Sequence, residues 1–529
     1  MKRLMIPLVL LVTLLLTQTA HSEPLVPIRA WQFHHLDVNY VSRTQRKALE
    51  YDINTVVYSH GMVRRVSQMY DGTPRAADLK QLAAEADDLG LKVWLWIHEL
   101  EEDVPARYLN DGVVQMDRPG FWDWLTAKYE KFITDFPEFD GFILTFHETE
   151  YKIFDDGEVN SELSKPDRFA KLINTIDAVC QKYGKDLIVR SFLYEPQQME
   201  WFAEGLTKID KRVMLQSKCV PHDWEPYYPH NPMIGKFPDR PLIVEFDCSS
   251  EFTGKNRVPY TSPDYFEYRW RYDLQQPGVT GYLARVDHNG YDAVYTPNEI
   301  NLYAMYRMTE DPAVTGEDIW QEWTRKHYGN RAAKLVEKTL RPSFEVVNRS
   351  FFAREFWITN HSELPSYGYA NGHIQSRTIA KWKPDQPVYR EHEKLLQHPT
   401  PEALEWILSE KDTAIAMAGE ELESLRQAKP YLTDDQYNDL YWRLALLQRT
   451  AIIWKLHAEA FFGYKILADG HAVPGLSERV TRAINGLKRQ ADVSRLNPLI
   501  GDDPPASAGE IMEVANELEE MLQNVAATN

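Results

Sequence analysis

Residues 92–98 read KVWLWIH and residues 141–147 read GFILTFH, two apolar runs that each end on a histidine. A helical pattern at Phe121–Phe136, which follows Pro119-Gly120, lies between them. Near-continuous apolar strands indicate burial on both faces, as in a parallel sheet. The stretch 92–147 therefore predicts one strand–helix–strand repeat of a parallel α/β fold.

Eight runs of this kind occur in the first part of the chain. They are Arg29–His35, Thr55–His60, Lys92–His98, Gly141–His147, Leu187–Tyr194, Val213–Cys219, Pro241–Asp247 and Gly281–Asp287. Helical patterns fill most of the gaps between them. The exception is Pro221–Arg240, which holds five prolines and predicts a long loop. Strands that alternate with crossovers in this number predict a TIM-type (β/α)8 barrel.

The strand patterns stop at about residue 315, and long helical patterns follow. These are Pro401–Lys429, Thr433–Leu467, Ser477–Ala491 and Ala508–Val525. We therefore predict a barrel over residues 23–315 and an all-α C-terminal domain over residues 316–529. The apolar faces of these helices fit either a homodimer contact or one wall of a cleft.

The first residues have the pattern of a secretory signal peptide. Lys2 and Arg3 precede the apolar run Met5–Leu16, and the small residues Ala20 and Ser22 follow it. A membrane anchor is the alternative, but a bilayer needs about 20 apolar residues. We therefore predict cleavage after Ser22, export to the periplasm or the medium, and no membrane association of the mature chain.

Charge and cysteine content exclude some classes of protein. The formal net charge of −19 argues against nucleic acids and anionic membranes as partners. An acidic glycan stays compatible with this charge if the binding pocket itself is positive. The chain has three cysteines, at positions 180, 219 and 248, which is too few for a disulfide framework. Both a Cys219–Cys248 bridge and buried free thiols fit the sequence.

Polar side chains collect where the predicted strands end, which is where barrel enzymes place their functional groups. Carboxylates, histidines and cations stand there at His34, His60, His98, Glu148, Arg190, Lys218, Glu245 and Asp287, among others. Paired carboxylates would support acid–base hydrolysis, and clustered histidines would support metal-assisted hydrolysis. The adjacent His34 and His35 point to opposite faces, and strands five and six end without histidine. We therefore expect neither a metal nor a cofactor; a solvated, non-functional rim is the remaining alternative.

An ordered set of segments from residue 29 to residue 330 resembles glycoside hydrolase family 67, the α-glucuronidases. The segments similar to that family are Arg29–Val38, Asp140–Leu144, Val189–Tyr194, Leu215–Lys218 with Asp223, Glu245–Gly254 and Asp287–Gly329. The resemblance implies that Asp223 and Glu251 activate a water molecule. It also implies that Arg190 and Lys218 hold the carboxylate of the substrate. A guanidinium and an ammonium group suit a uronate anion.

The general acid of the family follows the fourth strand, where this chain offers both Glu148 and Glu150. We favour Glu148 because it is closer to the end of the strand. The family's lysine on this strand is replaced here by Thr145, and His147 could donate a hydrogen bond in its place. His98, at the end of the third strand, is a further candidate for substrate binding.

These features predict an exported, exo-acting, inverting glycoside hydrolase that removes a uronic acid from an acidic oligosaccharide or polysaccharide. Two alternatives stay open. One is a non-catalytic barrel that only binds glycans, and the other is a lyase or a hydrolase of another linkage that acts on an acidic polysaccharide.

Overall fold

Eight parallel strands form a closed barrel, as the sequence predicts. A computed structural model describes residues 25–376, 379–497 and 499–528, so the predicted signal peptide lies outside the described residues. The strands are β1 Ile28–Phe33, β2 Thr55–Tyr58, β3 Lys92–His98, β4 Gly141–Thr145, β5 Asp186–Arg190, β6 Met214–Lys218, β7 Leu242–Asp247 and β8 Val279–Arg285. Each strand pairs with its neighbours in the chain, and β8 closes the barrel on β1.

Helices surround the barrel and connect its strands. They are α1 Val38–Ala48, α2 Arg75–Asp88, α3 Phe121–Asp135, α4 Lys165–Tyr183, α5 Pro196–Leu206, α6 Pro263–Leu274 and α7 Glu299–Glu310. Between β6 and β7, where every residue is described, no helix forms, which confirms the predicted loop. The Asp37 carboxylate begins α1 by accepting a hydrogen bond from the Tyr40 amide at 2.8 Å.

The C-terminal part of the described chain is helical, apart from one small hairpin. Its helices are α8 Gly316–Leu340, α9 Ser343–Phe351, α10 Tyr367–Ser376, α11 Ile379–Trp382, α12 Pro387–Gln397, α13 Pro401–Ala428, α14 Asp434–Ala468, α15 Leu476–Leu496 and α16 Ala508–Thr528. The predicted fold class is confirmed, whereas the boundary at residue 316 stays a prediction. A single apolar core runs from the outer face of the barrel into this helical region.

The interior of the barrel changes from apolar to charged along the strands. Its lower part is filled by Ala30, Val57, Trp94, Trp96, Ile143, Ile188, Ile243 and Leu283. Side chains two positions further along a strand point to the same side. Ile188 is thus followed inward by Arg190, Ile243 by Glu245 and Leu283 by Arg285, all of them buried. The pleat therefore places charged groups on top of an apolar plug, at the carboxyl ends of the strands.

The long loop between β6 and β7 is held by buried hydrogen bonds rather than by secondary structure. The Asn231 side chain donates to the Val220 carbonyl and accepts from the Met233 amide. The guanidinium of Arg269, on α6, donates to the carbonyl oxygen of Tyr228 at 2.6 Å. These contacts order the backbone on which Asp223 lies.

A segment of the helical region reaches the mouth of the barrel, and we call residues 352–366 the arm. It begins with a hairpin of the short strands Phe352–Ala353 and Phe356–Trp357. It then makes a tight turn over 360–363, whose central residues His361 and Ser362 have φ of 49° and 69°. Non-glycine residues rarely adopt this left-handed conformation, which costs on the order of 1–3 kcal/mol.

Within the described residues, no helix is long and apolar enough to cross a bilayer. All three cysteines are buried and have free thiols.

The closure of the barrel depends on a glycine at the β1–β8 contact. A Cβ atom at Gly281 would lie 2.4 Å from the Ile28 carbonyl oxygen, so Gly281→Ala should push the two strands apart. We expect the free energy of unfolding to fall by about 1–3 kcal/mol in a urea titration.

The matched control is Gly372→Ala on α10, where a Cβ meets no atom within 4 Å. That variant should be unchanged or more stable by about 0.5–1 kcal/mol. Equal stability of the Gly281→Ala protein and the unmodified protein would show that the contact is not tight.

Candidate active site

Three buried cations line the charged layer of the barrel, and each has a buried carboxylate partner. Arg190 on β5 contacts Glu245, Lys218 on β6 contacts Asp223, and Arg285 on β8 contacts Glu251. All six side chains are buried. Since an unpaired buried charge costs several kcal/mol, each ion pair strongly constrains the position of its carboxylate.

Arg190 has the smallest exposed fraction of the three cations. Its Nε and Nη2 atoms donate to the two oxygens of Glu245 at 2.7 and 3.1 Å, a bidentate arrangement. The guanidinium lies over the Trp96 ring, 4.2 Å from its centroid. Its remaining nitrogen, Nη1, points outward and lies 3.5 Å from Glu148 Oε2. Arg190 thus connects the floor of the site to the predicted general acid.

Lys218 holds Asp223 in its ionised form. The Lys218 ammonium donates to Asp223 Oδ1 at 2.6 Å and lies over the rings of Phe192 and Trp224. Burial alone would raise the pKa of Asp223, but Lys218 and His222 hold it below its ordinary value of 3.8. Asp223 is therefore a carboxylate at neutral pH.

Glu251 is held from several sides. Its Oε2 atom contacts Arg285 and accepts from the Trp224 indole at 3.3 Å, while its backbone amide donates to Asp247 at 3.0 Å. Its Oε1 atom lies 3.0 Å from His361 Nδ1 and 3.4 Å from His288 Nε2. Burial opposes ionisation, but Arg285 and the two histidines hold the pKa of Glu251 well below 4.5.

Asp223 and Glu251 lie in the same part of the mouth. The negative charge of Glu251 is near enough to raise the pKa of Asp223, against the stronger effect of Lys218. Trp224 follows Asp223 directly in the chain, and its indole reaches Glu251. The structure therefore brings together two ionised carboxylates that are 28 positions apart in the sequence.

The two candidate acids after β4 have different surroundings. Glu148 faces Arg190, and 34% of its side chain is exposed. Its backbone carbonyl also accepts from Arg64 at 2.7 Å, which holds the loop. Glu150 is exposed to solvent; burial raises the pKa of Tyr151, and the charge of Glu150 adds to that effect. Glu148 thus lies beside the charged layer, and Glu150 lies toward the solvent.

The predicted binding histidines are both buried at the wall of the mouth. The His147 ring packs against Tyr194, with centroids 4.6 Å apart. Burial and the nearby Lys152 lower the pKa of His147 to about 4, so this ring is neutral at pH 7. His98 is the first member of a row of imidazoles that continues through His60, His34 and His288, with 4.7 Å between successive ring centroids.

Two important groups of the site are absent from the sequence-based set. Arg285 lies two positions after Leu283, so its side chain also points into the barrel, and it lies at the end of its strand as Arg190 does. The alternation along β8 could therefore have indicated it. His361 lies 110 positions after Glu251, in the arm, and no local pattern in the sequence connects the two residues. The predicted roles of the individual site residues stay predictions.

The protein is a (β/α)8 barrel with paired charges at the carboxyl ends of its strands. Enzymes of this fold have their active sites at that end of the barrel. Residues 53–289 match the model of the glycosyl hydrolase family 67 middle domain. The predicted resemblance is thereby confirmed: the barrel is distantly similar to the middle domain of that family, over a match that covers less than half of the chain.

Curated relatives support the same assignment over part of their length. An alpha-glucuronidase of Hypocrea jecorina is 22% identical over 252 residues, which cover 42% of this chain and 28% of that enzyme. A probable alpha-glucuronidase A of Aspergillus fumigatus is 22% identical over 188 residues, which cover 30% of this chain and 22% of that protein. The matched region therefore spans only about a quarter of the length of these relatives.

Two solved structures share the fold over most of the chain. A GH138 enzyme targeting pectin rhamnogalacturonan II superposes with a TM-score of 0.60 at 12% identity, covering 95% of this chain and 68% of that one. A family GH115 4-O-methyl-alpha-glucuronidase with specificity for decorated arabinogalactans superposes with a TM-score of 0.51 at 11% identity, covering 92% and 60%. At these identities the likeness concerns the fold alone.

The Lys218–Asp223 pair predicts a shift in the pH dependence of any turnover that needs Asp223 ionised. Lys218→Met removes the cation and leaves burial as the main effect on the carboxyl, so its pKa should rise. We expect the acid limb of the kcat/KM profile to move to higher pH by about one unit or more.

Lys211→Met serves as the control because Lys211 forms a solvent-exposed pair with Asp239. Its profile should match that of the unmodified protein. An acid limb that stays in place in Lys218→Met, with a measurable rate, would show that Asp223 does not have to be ionised for turnover.

Proposed function

We propose that this protein is an exported glycoside hydrolase that removes a terminal α-linked uronic acid from an acidic glycan, with inversion at the anomeric carbon. The observation that carries the proposal is the convergence of ionised Asp223 and Glu251 in a mouth that also holds Glu148. Inverting glycosidases use one carboxyl group as acid and an opposing carboxylate as base toward water. The names of the relatives support the choice of a glucuronic acid substrate.

In this proposal, Glu148 protonates the glycosidic oxygen, and Asp223 with Glu251 orients and deprotonates the attacking water. The low pKa values of Asp223 and Glu251 keep both groups unprotonated, which a general base has to be before the reaction. Arg285 and the Trp224 indole contact Glu251 Oε2, so in this proposal the water reaches Oε1, beside His361 and His288. Their contacts keep the carboxylate oriented toward the mouth.

The uronate is proposed to bind at Arg190 and Lys218. Glu245 occupies the Nε and Nη2 atoms of Arg190, so Nη1 is the group that faces the mouth. The Lys218 ammonium has three donors, and Asp223 takes one of them. A bound uronate would compete with Glu148 for Nη1, and its negative charge beside Glu148 would favour the protonated acid. Substrate binding would thereby favour the protonated form of Glu148, which cleavage requires.

The first experiment follows the stereochemistry of hydrolysis. We expect the protein to release glucuronic acid from α-linked aldobiouronic and aldotriouronic acids, with the β-anomer appearing first in a proton NMR time course. Appearance of the α-anomer first would contradict inversion. An unsaturated product that absorbs in the ultraviolet would indicate a lyase, and binding without any product would indicate a glycan-binding protein.

Paired substitutions distinguish the two candidate acids. Glu148→Gln should lower kcat by about 10²–10⁴-fold, whereas the exposed Glu150→Gln should retain near-normal turnover. Asp223→Asn and Glu251→Gln, which keep the size of the side chains, should each lower kcat to a similar degree. Near-normal turnover of Asp223→Asn or Glu251→Gln would eliminate the proposed base.

A further inference from the structure

Three potential metal ligands meet at the mouth of the barrel, and they come from three different segments of the chain. They are Glu251 after β7, His288 after β8 and His361 on the arm. The ligand atoms of the three residues all lie within 4.8 Å of one another. Glu251 Oε1 is the shared neighbour, at 3.0 Å from His361 Nδ1 and 3.4 Å from His288 Nε2.

We propose that Glu251, His288 and His361 form an inhibitory binding site for a nitrogen-preferring divalent cation of the Zn²⁺ type. The regulatory meaning of this site, although not the site itself, rests on the proposed function of Glu251 as a base. A cation on Glu251 Oε1 would block the oxygen that has to accept a proton from water. Binding would therefore stop turnover, and a chelator would restore it.

Two of the three separations between the ligand atoms match the geometry that zinc requires. Zinc–oxygen and zinc–nitrogen bonds are about 2.0–2.1 Å, and the corners of a tetrahedron with such bonds are about 3.3 Å apart. The two separations from Glu251 Oε1 fall on either side of that value. Two histidines with one glutamate are also a ligand set that zinc uses in enzymes, with the fourth position open.

The two histidines of the cluster have different surroundings. The other ring nitrogen of His288, Nδ1, is buried and has no hydrogen-bond partner among the described residues. The His361 side chain is 48% exposed and stacks on Phe252, with centroids 4.7 Å apart. The cluster therefore has a closed side, formed by the barrel, and an open side through which a cation and a water ligand can enter.

Arg285 limits the affinity of the proposed site. Its guanidinium contacts Glu251 Oε2, so it repels a cation bound at Oε1 of the same carboxylate. We therefore expect reversible binding that responds to the concentration of free metal.

The arm supplies His361 through a strained turn that is held against the barrel. The Ser362 hydroxyl donates to the Glu251 carbonyl at 2.8 Å and accepts from the Gly254 amide at 2.8 Å. Lys255 adds an ion pair with Glu363 at 3.4 Å. Because the third ligand is present only when the arm lies on the loop after β7, a bound cation would fix the helical region to the catalytic mouth.

Direct metal binding to the full chain tests the site without any substrate. Protein stripped with EDTA and dialysed is titrated with Zn²⁺ in competition with a chromophoric chelator. We expect one equivalent to bind, and we expect His361→Ala and His288→Ala each to weaken that binding by about tenfold or more. Zn²⁺ should also raise the Tm of the unmodified protein and have little effect on the Tm of His361→Ala.

Two further variants control for folding and for unspecific histidine binding. His361→Gln can still donate a hydrogen bond to Glu251 but lacks an imidazole ligand, so it should fold and lose zinc. His398→Ala removes an exposed histidine of the helical region, beside Asp469, and should bind zinc normally. Absence of a one-equivalent site, or equal affinity in His361→Gln and His398→Ala, would overturn the proposal. One-equivalent binding in a protein that cleaves no uronide would retain the site and refute only the proposed function.

Discussion

The pairing of buried charges is the constraint on which the candidate site depends. Arg190, Lys218 and Arg285 lie on barrel strands, above an apolar plug and with little access to water. Each buried cation needs a carboxylate partner, because charges removed from water without a partner are costly. The partners are Glu245, Asp223 and Glu251, and only Glu245 lies on a strand itself.

This pairing connects stability to the proposed chemistry. Asp223 and Glu251 come from loops, which by themselves would not fix a side chain to within a fraction of an ångström. The strand-borne cations and the Trp224 indole fix them, and the same cations keep their pKa values low. The two carboxylates that the proposal uses as the base therefore owe their ionised form to the charge pairing of the barrel interior. In the pair of Arg190 and Glu245, both carboxylate oxygens accept hydrogen bonds from the guanidinium. The Nη1 atom of Arg190 faces Glu148 instead.

The helical region takes part in the site through the arm. His361 extends the network around Glu251 beyond the barrel, and its turn keeps two successive residues in the left-handed region. Strained backbone of this kind persists when the surroundings hold it, as the Ser362 hydroxyl does here. This contact makes the arm part of the wall of the mouth.

The fold could be predicted from the sequence to a large extent, and the site to a smaller extent. Continuous apolar runs such as KVWLWIH indicate burial on both faces, and they predicted all eight strands of the barrel. The five prolines between β6 and β7 predicted that no helix forms there. Arg285 could have been indicated by the alternation along β8, because it lies two positions after the buried Leu283. His361 could not be found, since its proximity to Glu251 depends on how the arm packs on the barrel.

The most direct measurement is a crystal structure of the protein with glucuronic acid bound. The account predicts the sugar carboxylate at Arg190 Nη1 and Lys218, Glu148 on one side of the anomeric carbon, and a water between that carbon and Asp223 with Glu251. In inverting enzymes the acid and base carboxyl groups are about 6.5–9.5 Å apart. A sugar bound away from these cations, or one with Glu148, Asp223 and Glu251 all on the same face of its ring, would contradict the account.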